Sequence, residues 1–331
     1  MLELSIIIPI YNTPEAALQR CFDSIETLRD ICYEVLLIDD GSQPATGSFC
    51  QNYTTQHKHF RYFYQQNAGV SAARNTGLCH AHGQYLAFLD ADDTLRADVI
   101  CACLLQENHD LIIYDLLLQE GFRQTVWQAM NTPAGSVTQD AMLKQLIVSK
   151  SLNSPCGKLF ARSVIEEHML RFNTDFVTGE DWNFICDYVL QISQAYYCGL
   201  PAYCYDRSGG TSLSRIERFP DTMLSNSLQM LQRKQMLLQT PGLSAETQTL
   251  TGIAAATYLE ELFNTAADLL LLKKMTKQRK TFIQKNAGYA TGLLHPQASK
   301  KARTKSLVMR RIWFALRPLA FLRKLYLKWK H

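Results

Sequence analysis

Through the first third of the chain, short unbroken apolar runs alternate with longer stretches of mixed polarity. "LSIIIPI" (4–10), "YEVLLIDDGS" (33–42), "FRYFYQ" (60–65), "QYLAFLD" (84–90) and "DLIIYDLLL" (110–118) have strand length and composition. "PEAALQRCFDSI" (14–25), residues 43–57 and "VSAARNTGLCHA" (70–81) read as the helices between them, the first with Pro near its first turn. Continuous apolar strands alternating with helices predict a mostly parallel α/β sheet with both faces covered. Ligands bind such sheets beyond the carboxyl ends of the strands. Three polar clusters sit at such ends: Tyr11–Asn12, Asp39–Asp40 and Asp90–Asp93.

From about 130 to 215 the pattern is mixed. Residues 221–290 read as mostly helical, with "TPGLS" (240–244) as a turn and "ETQTLTGIAAATYLEELFNTAADLLLLKK" as one amphipathic helix after it. The expected organisation is a catalytic domain over 1–215, divided at residue 93, then a helical appendage over 216–296 and a basic tail over 297–331.

Composition changes this picture at two points. The 331 residues are 47% hydrophobic and 19% charged, ordinary for a globular chain. The ten cysteines include no CxxC pair, which argues against a zinc site, and several lie in apolar runs, so reduced thiols and a cytoplasmic location are expected. "MLELSIII" has neither the basic start nor the cleavage site of a signal peptide, and no charge-free apolar run reaches the ~18 residues of a membrane span. The net charge of +4 is unevenly spread: residues 297–331 hold eleven Lys and Arg and no Asp or Glu, so the rest of the chain is acidic. In the tail, Arg303, Arg310, Arg317 and Lys324 recur every seven residues, with Trp313, Leu316 and Leu319 largely away from them and Pro318 as a break. That pattern predicts a helix lying on an anionic membrane surface; nucleic-acid binding and a subunit interface are its rivals.

"FLDADDTL" (88–95) sets three carboxylates within four positions. Crowded like charges repel, and a hard divalent cation such as Mn2+ or Mg2+ relieves that repulsion while sharing its shell with phosphate oxygens. A solvated loop opening a helix is the plain alternative. The neighbouring motifs shift the balance. "IPIYN", then "VLLIDDGS", then "QNAGVSAARNTGL", then "DADD" follow in order within 93 residues, and "CGKLF", "FVTGEDWNF" and "YCYDRSGGTSLSR" come after them. Over 1–215 the chain thus resembles glycosyltransferase family 2, the inverting nucleotide-sugar enzymes with the GT-A fold. Cys156 departs from the pattern, standing where family members often carry an aromatic residue.

The resemblance implies roles residue by residue. Pro9, Tyr11 and Asn12 border the nucleotide, with Tyr11 stacked on a uracil-type base. Asp40 bonds the base edge and Asp39 supports its loop. Asn67, Gly69 and Arg74 border the nucleotide, Arg74 offsetting phosphate charge. Asp90 lies at the ribose or the metal, Asp92 is the first metal ligand and Asp93 a further one. Asp181 is the catalytic base, with Glu180 beside it. Lys158, Arg207 and Ser212 serve phosphate or acceptor. The implied activity is metal-dependent transfer from a UDP-sugar to a glycan or lipid-linked glycan in bacterial surface-polysaccharide synthesis. Alternatives are a sugar-1-phosphate nucleotidyltransferase, which lacks its Gly-rich basic loop here, and a non-catalytic scaffold on the same fold. A dehydrogenase is disfavoured because no GxGxxG follows the first strand.

Overall fold

The computed structural model describes residues 2–105, 109–176, 178–206 and 219–294, with Ala302, Arg303, Lys305 and Met309. The chain divides into two compact units: Met1–Thr174 with Glu180–Gly210, and Asp175–Gly179 with Thr211–His331.

The first unit starts with the predicted alternation. Strands β1 (Leu4–Ile10), β2 (Tyr33–Asp40), β3 (Phe60–Gln65) and β4 (Tyr85–Phe88) are separated by helices α1 (Glu15–Ile25), α2 (Pro44–Gln56) and α3 (Val70–His80). β1 runs parallel to both β2 and β4, and β3 lies parallel on the far side of β2. Every residue of β2 is buried, as an unbroken apolar run implies. α3 packs closely on β1: a Cβ at Gly77 would come within 2.3 Å of Ile7 Cγ2.

Beyond β4 the sheet is mixed. β5 (Thr94–Leu95), α4 (Ala97–Leu104), β6 (Leu111–Glu120), β7 (Arg123–Trp127), β8 (Gly135–Thr138), α5 (Gln139–Val148), β9 (Lys158–Ala161), α6 (Arg162–Glu167), α7 (Glu180–Val189) and β10 (Gln194–Asp206) complete the unit. The sheet order is β3-β2-β1-β4-β9-β6-β10-β5, with β7 beside β6 and β8 beside β10. The mostly parallel arrangement therefore describes its first half. β9 inserts antiparallel between β4 and β6, so β6 is not the next parallel neighbour that its apolar run suggests. The physical reason is that a buried strand is apolar whichever way its neighbours run. β10, in the stretch whose pattern is mixed, is a 13-residue strand with register shifts beside Pro201.

The described part of the second unit is helical: α8 (Pro220–Leu237), α9 (Ala245–Gln248), α10 (Thr251–Leu271) and α11 (Lys277–Gly292). The single helix expected after the 240–244 turn is two, α9 being closed off before Leu250 opens α10. Ala254, Ala255, Leu259, Leu262, Ala266 and Leu269 of α10 are buried at the predicted helical spacing. Arg279 grips Asp221 with two hydrogen bonds of 2.7 Å, joining α11 to α8. Of the basic tail only four residues are described. Among them Lys305 bonds Glu260 at 2.6 Å and lies 5.4 Å from the Phe263 ring centre. The expected surface helix beyond residue 310 lies outside the described residues, as do Arg207 and Ser212. Among the described residues no helix is long and apolar enough to cross a membrane.

Candidate active site

The site is assembled at the carboxyl ends of β1, β2 and β4. After β1, Tyr11 is 56% exposed and Asn12 takes a positive φ of 52°. The Asn12 backbone N–H donates to Ser42 Oγ at 3.0 Å and its side-chain oxygen accepts from Gln43 N at 2.8 Å, tying this turn to the one after β2.

Both carboxylates at the end of β2 are buried and occupied by their own loops. Asp39 accepts from Ser42 N and from Tyr62 OH. Asp40 accepts from Gln65 Nε2, Ala68 N and Gly69 N, while its carbonyl accepts from Asn67 Nδ2. Asp40, expected to bond a base edge, is 3% exposed. Its carboxylate instead shapes the Asn67–Gly69 turn, because backbone N–H groups at the start of α3 need acceptors. Gly41 belongs to the same construction: its φ is +75° and a Cβ would meet Asn67 N at 2.7 Å.

α3 then delivers Arg74 to the centre of the site. The residue is 3% exposed. Its guanidinium donates to Asp181 Oδ1 at 2.6 Å and to Asp90 Oδ1 at 3.1 Å. Burial works against its charge, but Asp181 and Asp90 outweigh it and hold the group protonated. Arg74 thus joins two of the motifs whose carboxylates the resemblance assigned to separate roles.

The three carboxylates of "DADD" point to different places. The Asp90 side chain is 36% exposed and its backbone N–H donates to Tyr203 OH. Asp92 is exposed; partial burial of its carboxyl, then Asp90 and Asp206, raise its pKa. Asp93 is turned inward, accepting from Tyr203 OH and from Asp206 N, and is 1% exposed. Burial first, then Asp90 and Asp92, push its pKa up to about 8. Asp93 therefore anchors β10 and does not fit the metal-ligand role expected of it. No group of three or more metal-binding side chains is gathered among the described residues. Asp90 and Asp92 still suit a divalent cation, because Asp90 and Asp206 crowd the partly buried Asp92 carboxyl and one or two carboxylates suffice when phosphates complete the shell.

Glu180 and Asp181 occupy the first turn of α7, where acidic side chains complement the helix end. The Asp181 side chain is 28% exposed. Lys158, at the start of β9, is 2% exposed and donates to the Ser154 carbonyl at 2.6 Å. Burial lowers its pKa to about 8, opposed by Cys156 and Asp181. Cys156 is also buried, and burial pushes its thiol well above the ordinary range, which leaves it unreactive.

Tyr203, Phe172, Asn75 and Asp206 were not singled out from the sequence. Each acts on a residue far away along the chain, and Asn75, Tyr203 and Asp206 lay within quoted motifs without a role of their own. The arrangement places an exposed aromatic, two carboxylates suited to a cation and a further carboxylate held by a buried cation at one end of the sheet.

Comparison with known proteins agrees. Residues 5–169 match the profile of glycosyl transferase family 2. Glycosyltransferase GlyA of Streptococcus pneumoniae is 29% identical over 230 residues, 65% of this chain and 32% of GlyA. The uncharacterized glycosyltransferase EpsJ of Bacillus subtilis is 40% identical over 189 residues, 55% of this chain and 54% of EpsJ. The chain therefore spans about a third of the one relative and about half of the other. The crystal structure of Staphylococcus aureus TarS 1-349 in complex with UDP-GlcNAc has a TM-score of 0.63 at 17% identity, over 93% of this chain and 89% of that one. The mixed sheet flanked by helices is the GT-A fold that TarS shares. With its motifs, its fold and its match over residues 5–169 in accord, the chain belongs to glycosyltransferase family 2.

Proposed function

We propose that the chain is an inverting glycosyltransferase that moves a sugar from a UDP-linked donor to a hydroxyl of a glycan or lipid-linked glycan in bacterial surface-polysaccharide synthesis. The observation that carries this reading is Arg74 bound to Asp90 and Asp181 together. It puts Asp90 and Asp181 within the reach of one guanidinium. TarS, which shares the fold, was crystallised with UDP-GlcNAc, and this supports a UDP-linked donor.

In this reading the exposed Tyr11 ring stacks on the base of the nucleotide. Asp39 and Asp40 act through the turns they hold, keeping Ser42 and Asn67–Gly69 in place beside it. Asp92, with Asp90, would hold Mn2+ or Mg2+, which offsets charge on the departing diphosphate. Asp181 takes the proton from the acceptor hydroxyl as that oxygen bonds to the anomeric carbon and the bond to the diphosphate breaks. Attack from the face opposite the leaving group inverts the anomeric centre. Arg74 keeps Asp181 ionised for this step and screens it from Asp90. The basic tail would hold the protein at the inner face of the membrane, near a lipid-linked acceptor.

A panel of UDP- and GDP-sugars, with release of nucleoside diphosphate measured with and without Mn2+, tests the proposal. Metal-stimulated UDP release from one UDP-sugar is expected. No turnover of any nucleotide sugar, with UDP still bound, would favour the non-catalytic scaffold.

A further inference from the structure

The Arg74 guanidinium has few attachments for a group that must bridge two carboxylates. Its Nε is buried and has no hydrogen-bond partner among the described residues. A further contact is the face of Phe172, whose ring centre lies 5.3 Å from Arg74 Cζ. Phe172 sits 2% exposed between α6 and α7, in a segment with no helix or strand of its own. Asn75, next to Arg74 on α3, holds that segment from both sides. Asn75 Nδ2 donates to the Phe172 carbonyl and Asn75 Oδ1 accepts from the Phe172 N–H, each at 2.8 Å. An Asn amide that matches one residue's N–H and C=O imitates a strand pairing and allows little rotation.

The Phe172 ring also meets the elements that carry the two carboxylates. It stacks on Phe184 of α7, with centres 4.0 Å apart and planes 8° apart. Phe184 lies three positions after Asp181, on the same side of that helix. The ring meets Phe88 edge-on at 5.2 Å, two positions before Asp90 at the end of β4. One side chain thus touches Arg74 and packs against the supports of both its partners. We infer that Phe172, fixed by Asn75, is the positioning residue that sets the Arg74 guanidinium between Asp90 and Asp181. This rests on the reading of Asp181 as the base for its catalytic meaning, although the geometry stands without it.

The physical argument is one of freedom. An arginine side chain has several rotatable bonds, and two carboxylates at 2.6 and 3.1 Å constrain only its tip. The aromatic face constrains the guanidinium plane through its quadrupole and excludes water from that side. If the ring goes, the guanidinium can turn toward either carboxylate, and Asp181 loses part of its counter-charge. The charged groups near Asp181 include Arg74 from α3, with Asp90 on its other side, Lys158 from β9 and Glu180 from its own turn. Arg74 lies against the Phe172 ring, so a Phe172 substitution reports on Arg74.

The test is the titration of Asp181 in the full-length protein, read from its carboxyl carbon by NMR with labelled aspartate. Loss of the signal in Asp181→Asn assigns it. Phe172→Leu keeps the site apolar but removes the aromatic face, Phe172→Tyr keeps the face, and Asn75→Ala releases the segment. The Asp181 midpoint should rise by roughly half a pH unit in Phe172→Leu and in Asn75→Ala, the scale of one cation–π contact, and stay near wild type in Phe172→Tyr. A midpoint unmoved in Asn75→Ala and in Phe172→Leu overturns the inference. So does a Phe172→Tyr shift equal to that of Phe172→Leu. A loss of packing alone would lower the melting temperature without moving this titration. The readout needs no donor, so it is separable from the proposed activity: Asp181→Asn with undiminished turnover defeats the base, while an unmoved titration defeats the positioning.

Discussion

Arg74 and Asp181 lie 107 positions apart in the chain and 2.6 Å apart in the fold. Removing the cation leaves Asp90 and Asp181 facing one another with no charge between them. Arg74→Gln should therefore destabilise the protein by about 2–3 kcal/mol, below the full value for a buried pair because both carboxylates are partly exposed. Arg74→Lys should recover little, since an ammonium cannot match two carboxylates in one plane as a guanidinium does. Urea denaturation of the two variants beside wild type checks this, and near-equal stability of all three would contradict it.

Asp181→Asn keeps volume and removes the proton acceptor. UDP binding by calorimetry should be nearly unchanged, while turnover of the active nucleotide sugar falls by a factor on the order of 10²–10⁴. Should turnover survive, Glu180 becomes the residue to examine.

The carboxylates of "DADD" should separate by phenotype. Asp92→Asn should lower activity and weaken its response to Mn2+, with the melting temperature within a few degrees of wild type. Asp93→Asn should leave that metal response in place and act on the fold, because Tyr203 OH and Asp206 N both donate to this side chain. Manganese titrations of activity paired with thermal melts decide it. The assignment fails if Asp93→Asn abolishes the metal response and Asp92→Asn does not.

Lys158 makes stability depend on pH in a defined direction. Its folded pKa of about 8 lies below its ordinary value of 10.5. Between those values the unfolded chain binds more protons than the folded one, so stability rises with pH through that window. Below pH 8 the cost of burying the charge is felt in full. Lys158→Met should be more stable than wild type at pH 7 by on the order of 2 kcal/mol, after allowing for the lost bond to Ser154, and the gap should narrow by pH 10. Denaturation at several pH values follows the gap; a constant difference would assign the titration elsewhere.

Gly41 tests the turn beside Asp40. Alanine there must adopt φ +75° and place its Cβ 2.7 Å from Asn67 N, which is backbone and cannot swing away. The strain alone is about 1–3 kcal/mol. Gly41→Ala should lower the melting temperature and weaken UDP binding together, because the displaced turn borders the nucleotide in the proposed reading. A variant that melts lower but binds UDP as wild type does would separate this turn from the nucleotide site.

Two kinds of information meet in this protein. The apolar runs of β1 to β4 and the helices between them were legible because burial on both faces and helical spacing are local properties of the sequence. The four motifs of the first 93 residues were legible through their resemblance to a family's signature order. Orientation was not local. Nothing in "DADD" states that Asp92 faces out and Asp93 in; that is decided by Tyr203, 110 positions later, which offers Asp93 a hydroxyl inside the protein. The backbone of 68 and 69 closes on Asp40, which read as bonding a base edge, and the fold encloses Lys158, which read as serving phosphate or acceptor. β9 shows the same limit for the sheet. Its apolar residues determine that it is buried, but only pairing with β4 and β6 makes it antiparallel to both. A charged or polar group takes its direction from whichever partner can repay its removal from water, and those partners are brought near only by the folded chain.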